Sequence, residues 1–295
     1  MTSRAWFIVP AALVLMVVIT VWMVQSQTAP HQMYEGEESA DVTLVATSGH
    51  GVEAATALTA RLRAVGMSAQ TLEVTEQKIR LRLMRVSEPR EAIAALIDPE
   101  PLRFQVIAED QHAGDAGPGE PGMVVPWLKG TSRADLQEKI RQTPPPRGMV
   151  PAIECIRAGD RAGGVLCAAW LTAPPAALGS ENVTDVHVGA HERTEEPEVT
   201  LKLDAPGARA LEALTRMNVG RMIAVVAFGE LQARPRIDSP VTGGEWTFST
   251  RTGDTDRRNA ILRAERLVAA ARAKPLPPLV IESVEPAPAG PVPKR

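Results

Sequence analysis

The sequence is poor in aromatic residues and nearly balanced in charge. It contains one Tyr and four Phe, so it lacks the aromatic platform on which single-stranded nucleic acids stack. Its formal net charge is −3, which argues against the basic surface of a nucleic-acid-binding protein. It has no Gly-x-Ser-x-Gly nucleophile motif and no phosphate-binding loop. We therefore predict a protein that is not an enzyme and that binds no cofactor and no nucleic acid.

Long apolar runs are scarce, and the one that could cross a membrane is at the N-terminus. Residues 5–24 carry no charge and are apolar on every side, and about twenty such residues span a bilayer as a helix. Arg4 precedes this run, whereas the residues after it are acidic: Glu35, Glu37, Glu38 and Asp41. The positive-inside rule then places residues 1–4 in the cytoplasm. The sequence predicts a single-pass protein of the cytoplasmic (inner) membrane with a periplasmic or extracytoplasmic domain.

A cleaved signal peptide is the alternative interpretation of the same run. Signal peptides have shorter apolar cores and end in a small-x-small cleavage site. The nearest candidate here, Ser26-Gln27-Thr28, is poor at its last position. The retained anchor is therefore favoured, with residues 25–40 as a polar linker.

Cysteine is limited to Cys155 and Cys167, which flank a stretch rich in turn residues. Residues 153–156 and 165–170 are typical of the two arms of a hairpin. In an oxidising compartment the two thiols would close this hairpin as a disulfide. Two unconnected, buried thiols are the alternative.

The rest of the sequence predicts an α+β protein. Residues 41–108 show the order β-α-β-β-α-β, which is the split βαβ, ferredoxin-like arrangement. Residues 109–151 break this pattern with a glycine-rich loop and with Pro144-Pro145-Pro146, which can neither continue a helix nor lie in a central strand. A second unit occupies residues 181–285, and residues 222–228 in it have the continuous apolar run of a buried strand. The Pro-rich residues 286–295 are predicted to be disordered.

The segment from Leu201 to Ile281 resembles a known family. Its most specific block is Leu-Thr-Arg-Met-Asn-Val-Gly-Arg at 214–221, followed by Ile-Ala-Val-Val at 223–226. Supporting matches include Gly229, Pro235 and Gly243-Gly244. In these residues the chain is similar to the first periplasmic domain of SecD, an accessory subunit of the Sec protein-export machinery. The earlier segment, from Leu58 to Val106, is similar in layout and weaker in its residues.

The resemblance implies a ferredoxin-like base, in two halves at 41–108 and 181–285, with a small head inserted at 109–180. It also implies that the head contacts exported, unfolded chains, so that exported polypeptide and Sec translocon subunits are the expected partners. SecD has further membrane helices that couple proton flow to export, whereas this sequence stops at Arg295. Phe228 also replaces an Asp of the family. The expectation is a channel-less relative without transport activity of its own.

Candidate contact residues for a polypeptide are the apolar side chains of the hairpin, although a place in the hairpin core is equally consistent with them: Ile153, Ile156, Leu166 and Trp170. His187 and His191 have a spacing that chelates zinc on a helix, but in the strand predicted here they would be about 13 Å apart. No metal site and no catalytic residue is therefore predicted. Five arginines of the last predicted helix form either a solvated face or a docking surface for anionic lipid: Arg257, Arg258, Arg263, Arg266 and Arg272.

Together these observations predict a membrane-anchored, SecD-like accessory protein. It would bind exported polypeptide, or translocon or membrane partners, on the periplasmic side. The alternative is a structural or scaffold domain of an unrelated cell-envelope complex.

Overall fold

The computed structural model describes residues 38–86, 88–108, 124–157, 165–250, 257–273 and 275–288. The predicted anchor at 5–24, nearly all of the linker and the tail from residue 289 lie outside the described residues. Within the described part of the chain, no helix combines the length and the hydrophobicity needed to cross a membrane.

The described residues form an α+β structure. Its strands are β1 (Ala40–Ala46), β2 (Ser68–Val74), β3 (Lys78–Met84), β4 (Leu102–Val106), β5 (Leu128–Gly130), β6 (Val150–Arg157), β7 (Val165–Thr172), β8 (Val183–Ala190), β9 (Pro197–Leu203), β10 (Ile223–Ala227), β11 (Glu230–Ala233), β12 (Glu245–Ser249) and β13 (Leu279–Pro286). Its helices are α1 (Gly51–Ala64), α2 (Pro89–Ile97), α3 (Arg133–Gln142), α4 (Ala205–Met217) and α5 (Arg257–Ala271).

Four antiparallel strands form the sheet that we call the base sheet, in the order β13-β1-β3-β2. Burial alternates along β3 and largely along β1, because one face of the sheet packs against helices and the other faces solvent. Leu44 and Leu81 are among the side chains buried in the main core. On the open face Arg82 donates two hydrogen bonds to the carboxylate of Asp41, at 2.6 and 2.9 Å.

The prediction that β4 completes the first half of the base is wrong. β4 pairs with β10, so that Phe104 lies opposite Val225. The position beside β1 is taken instead by β13, in which Val284 lies opposite Val42. The physical reason is burial on two sides: four of the five residues of β4 are buried, which suits a strand covered on both faces. The split βαβ of β1, α1 and β2 is present, with β3 between the two parallel strands.

Three further sheets have the orders β11-β10-β4, β12-β9-β8 and β5-β7-β6. β10 is buried along its whole length, which confirms the prediction from the apolar run at 222–228. Asp204 caps α4 by accepting a hydrogen bond from the backbone N–H of Gly207 at 2.7 Å. Directly after β4 the chain lies beside the hairpin of β6 and β7, because the N–H of Ala108 donates to the carbonyl of Leu171 in β7.

Candidate functional site

The hairpin of β6 and β7 is joined by a disulfide between Cys155 and Cys167, which lie directly opposite each other. Because strand side chains alternate, the hairpin has two different faces. One face, with Cys167 and Leu171, packs against Leu136 of α3. The other face, with Trp170, packs against a small cluster that includes Val226 of β10. The hairpin therefore lies between helix α3 and the sheet of β10 and β11.

A buried carboxylate lies on the second face of the hairpin. Glu154 accepts a hydrogen bond at 2.7 Å from Arg263 of α5 and one at 3.2 Å from the indole N–H of Trp170. Arg234, just after β11, lies 3.4 Å from the same carboxylate and 3.9 Å above the centre of the Trp170 ring, as in a cation–π contact. Burial is the main cause that lowers the pKa of Arg234, and the charge of Glu154 opposes this shift. These contacts tie the hairpin to α5 and β11.

A second group of charged side chains involves the same helix, α5, and the same strand, β11. Glu230 of β11 is within 3.7 Å of Arg266 and 3.8 Å of Arg133. Arg133 in turn lies 3.6 Å from Glu88, which precedes α2. Burial raises the pKa of the Glu88 carboxyl, and the positive charge of Arg133 partly offsets that shift. We call the two groups together the charged junction: Glu88, Arg133, Glu154, Glu230, Arg234, Arg263 and Arg266.

The four candidate contact residues differ in their burial in the structure. Trp170 is only 4% exposed, so its assignment to a polypeptide-binding surface needs correction: it lies in the core between hairpin and sheet. Ile153 is partly buried on the α3 side. Ile156 and Leu166 are opposite each other near the end of the hairpin, and the side chain of Leu166 is 52% exposed. Of the four candidates, Leu166 is the exposed one.

The interpretation of the five arginines of the last helix as one solvated or lipid-docking face is also corrected. Arg263 and Arg266 point into the charged junction, and Arg272 donates to the carbonyl of Val186 at 2.6 Å. Of the remaining arginines, Arg257 lies 3.5 Å from Glu195. The helix does not present its five arginines as one free basic face.

His187 lies in strand β8, as predicted. No group of three His, Cys, Asp or Glu side chains in the described ranges could hold a metal ion.

Sequence reasoning missed the charged junction. The sequence pattern that could have indicated it is an acidic or amide side chain inside an otherwise apolar strand. In β6 this is Glu154, between Ile153 and Cys155. In β11 these are Glu230 and Gln232, on either side of Leu231. Both glutamates are buried. Buried charges of this kind require partners, but their partners come from segments that lie far away in the sequence.

A protein-family model matches part of the chain. The family model of the SecDF P1 head subdomain matches residues 164–269, from the start of β7 to near the end of α5. These residues overlap the predicted head, 109–180, at its end only and extend through most of the predicted second half of the base.

Two curated relatives carry the same family name. A protein translocase subunit SecD of Acidaminococcus fermentans is 36% identical over 96 residues, which are 32% of this chain and 21% of the relative. The SecD of Syntrophobacter fumaroxidans is 24% identical over 198 residues, which are 66% of this chain and 32% of the relative. The chain thus spans between a fifth and a third of the length of these two relatives.

Solved structures of SecDF are similar at lower identity. One, a crystal structure in a super-membrane-facing form, has a TM-score of 0.40 at 18% identity and covers 92% of this chain and 33% of its own. Another has a TM-score of 0.39 at 19% identity and covers 82% of this chain and 98% of its own. Because both TM-scores are below 0.5, the likeness to SecD rests on the sequence matches. The resemblance to the first periplasmic domain of SecD is thereby confirmed.

Proposed function

We propose that this chain is a membrane-anchored accessory factor in protein export that binds exported polypeptide on the outer side of the cytoplasmic membrane. The observation that carries this proposal is the match to a protein translocase subunit, at 36% identity over 96 residues. The proposal concerns the binding of polypeptide and not the other activities of the longer relatives.

The disulfide supports the placement outside the cytoplasm. Disulfides form and persist in oxidising compartments and are rare in the cytosol. Cys155 and Cys167 are joined in the structure, and the described residues contain no free cysteine. Residues 5–24 would then tether the domain to the membrane, with residues 25–40 as the linker.

The exposure of the residues near the end of the hairpin supports the proposal of a polypeptide-contact surface there. Leu166 is about half exposed and lies opposite Ile156. The disulfide joins the two arms of the hairpin, and the charged junction fixes the hairpin to α5 and β11. A fixed, exposed apolar side chain can contact an unfolded chain at a low entropic cost, because its own position is already ordered. Ile156 and Leu166 are therefore the proposed polypeptide contacts.

Binding of an unfolded protein to the purified full chain tests this function. The ligand is a fluorescently labelled, reduced and carboxymethylated protein, and binding is followed by fluorescence anisotropy. We expect Leu166→Asp to weaken binding about tenfold, since it removes an apolar contact and leaves a charge in its place. The matched control is Val280→Asp on β13, because Val280 is 54% exposed and Leu166 is 52% exposed.

An equal effect of the two substitutions would contradict a contact at the hairpin. Absence of binding by the unmodified chain would contradict the export function itself. Crosslinking in cells to envelope proteins alone, without translocon subunits or exported chains, would replace it by the scaffold alternative.

A further inference from the structure

Among the described residues, strand β8 forms an uncovered edge of its sheet. The order β12-β9-β8 places it last, and β9 is its one partner among the described strands. Of its eight residues, only Val186 is buried. A groove runs beside its first half, lined by residues 183–186 of the strand and by residues 271–273 at the end of α5.

The hydrogen bonds of Val186 reveal which backbone groups point outward. Its N–H donates to Oδ1 of Asp185 at 2.9 Å, and its carbonyl accepts from Arg272 at 2.6 Å. Both groups therefore face away from β9. Because the pattern in an antiparallel pair repeats every two residues, the N–H and C=O groups of Val188 and Ala190 face outward as well. No described residue forms a hydrogen bond with the outward groups of Val188.

This edge is guarded less than two others in the fold. Natural sheets protect exposed edges with bulges, prolines or charged side chains. β2 has an irregular register between Thr71 and Glu73, and β13 ends at Pro286 and follows Pro277-Pro278. The register of β8 also shifts, between Val183 and Asp185, but it is regular from Asp185 to Ala190, and that regular stretch contains neither Pro nor Lys. Asp185 and Arg272 block the edge at Val186 and leave the part after it open.

We propose that the β8 edge at Val188 and Ala190 binds an extended segment of an unfolded polypeptide by β-strand addition. This inference rests on the proposed function and adds the mode of recognition. Outward N–H and C=O groups at strand spacing are complementary to the backbone of an extended chain. Recognition through the main chain does not depend on the sequence of the ligand, as a factor that handles many exported proteins requires. Asp185 and Arg272 fix where the added strand begins.

The test uses the full chain and a short peptide of alternating Thr and Val. Val188→Pro removes the outward N–H and is tolerated at a sheet edge, whereas Val188→Thr keeps both the N–H and the β-branched shape. We expect Val188→Pro to weaken peptide binding about tenfold and Val188→Thr to leave it within about twofold of the unmodified chain. The same peptide with alternate backbone nitrogens methylated should bind about tenfold more weakly to the unmodified chain.

Hydrogen exchange on the unmodified chain gives a readout that does not depend on any variant. Binding of the peptide should slow exchange of the Val188 and Ala190 amides and leave the already paired amides of His187 and Gly189 unchanged. If peptide binds but protects none of these outward amides, strand addition at β8 is wrong, while the proposed function stands. Protection that appears without peptide and grows with protein concentration would instead assign the edge to self-association and overturn the inference.

Discussion

The carboxylate of Glu154 lies 2.7 Å from the guanidinium of Arg263, although 109 residues separate the two in sequence. Both side chains are almost excluded from solvent, with exposures of 6% and 5%. The pair joins the disulfide-closed hairpin to helix α5. It is therefore one of the contacts that fix the position of the hairpin relative to the rest of the fold.

We expect Glu154→Ala to destabilise the protein by about 3–5 kcal/mol, because it leaves Arg263 and Arg234 buried without their shared carboxylate. The matched control is Glu282→Ala. Glu282 pairs with Lys78 at 2.8 Å, but these side chains are 49% and 40% exposed, so the loss should be below about 1 kcal/mol. Urea unfolding of both variants measures the difference. Equal losses would show that burial does not determine the strength of the Glu154 pair.

Removing the disulfide should destabilise the fold by about 2–3 kcal/mol, since Cys155 and Cys167 close a short loop with a sequence separation of 12. The measurement is the urea midpoint of the Cys155→Ser, Cys167→Ser double variant. Dithiothreitol should lower the midpoint of the unmodified chain and leave that of the double variant unchanged. A double variant that still responds to dithiothreitol would contradict this explanation.

The two glycines before β12 should respond differently to alanine. Both have a positive φ, of +80° at Gly243 and +74° at Gly244. A Cβ at Gly243 would meet open space, whereas one at Gly244 would lie 2.8 Å from the Cβ of Ala208 in α4. Gly243→Ala should therefore cost about 1–2 kcal/mol from the backbone alone, and Gly244→Ala about 1–3 kcal/mol more from the clash. Thermal unfolding compares the two, and an equal cost would show that α4 moves aside.

The base sheet should lose stability in acid through Asp41. The hydrogen bond from Arg82 is the main cause that holds the pKa of the Asp41 carboxyl below its ordinary value of 3.8. A lowered pKa means that the folded state favours the charged form, so the contribution is full above about 3.8 and disappears as the pH falls through the folded pKa. Asp41→Asn should make unfolding less sensitive to pH in that range. Arg82→Met should do the same, and an unchanged pH profile in both variants would contradict the assignment.

Local sequence patterns predicted the individual strands and helices better than they predicted which strands pair with each other. The apolar run of β10 is determined by a few adjacent residues, and the buried strand that it predicts is confirmed. The pairing of β13 with β1 joins residues as distant as Val42 and Val284. No local pattern contains that information, so β4 was placed in the wrong sheet.

The candidate site shows the same limit. The spacing of Cys155 and Cys167 and the turn residues between them indicated a hairpin from local sequence alone. The burial of Trp170 depends on Arg234 and on Glu154, which itself depends on Arg263. These partners come from three separate segments, and only the folded chain brings them together.

Site-specific photocrosslinking in cells tests the central claim most directly. A photoreactive amino acid is placed at position 166 at the end of the hairpin, or at position 280 on β13 as the equally exposed control, in cells that make an exported protein whose translocation is arrested. The account predicts a crosslink between this chain and the arrested protein from position 166 and none from position 280. Equal crosslinking from both positions, or none from position 166, would contradict it.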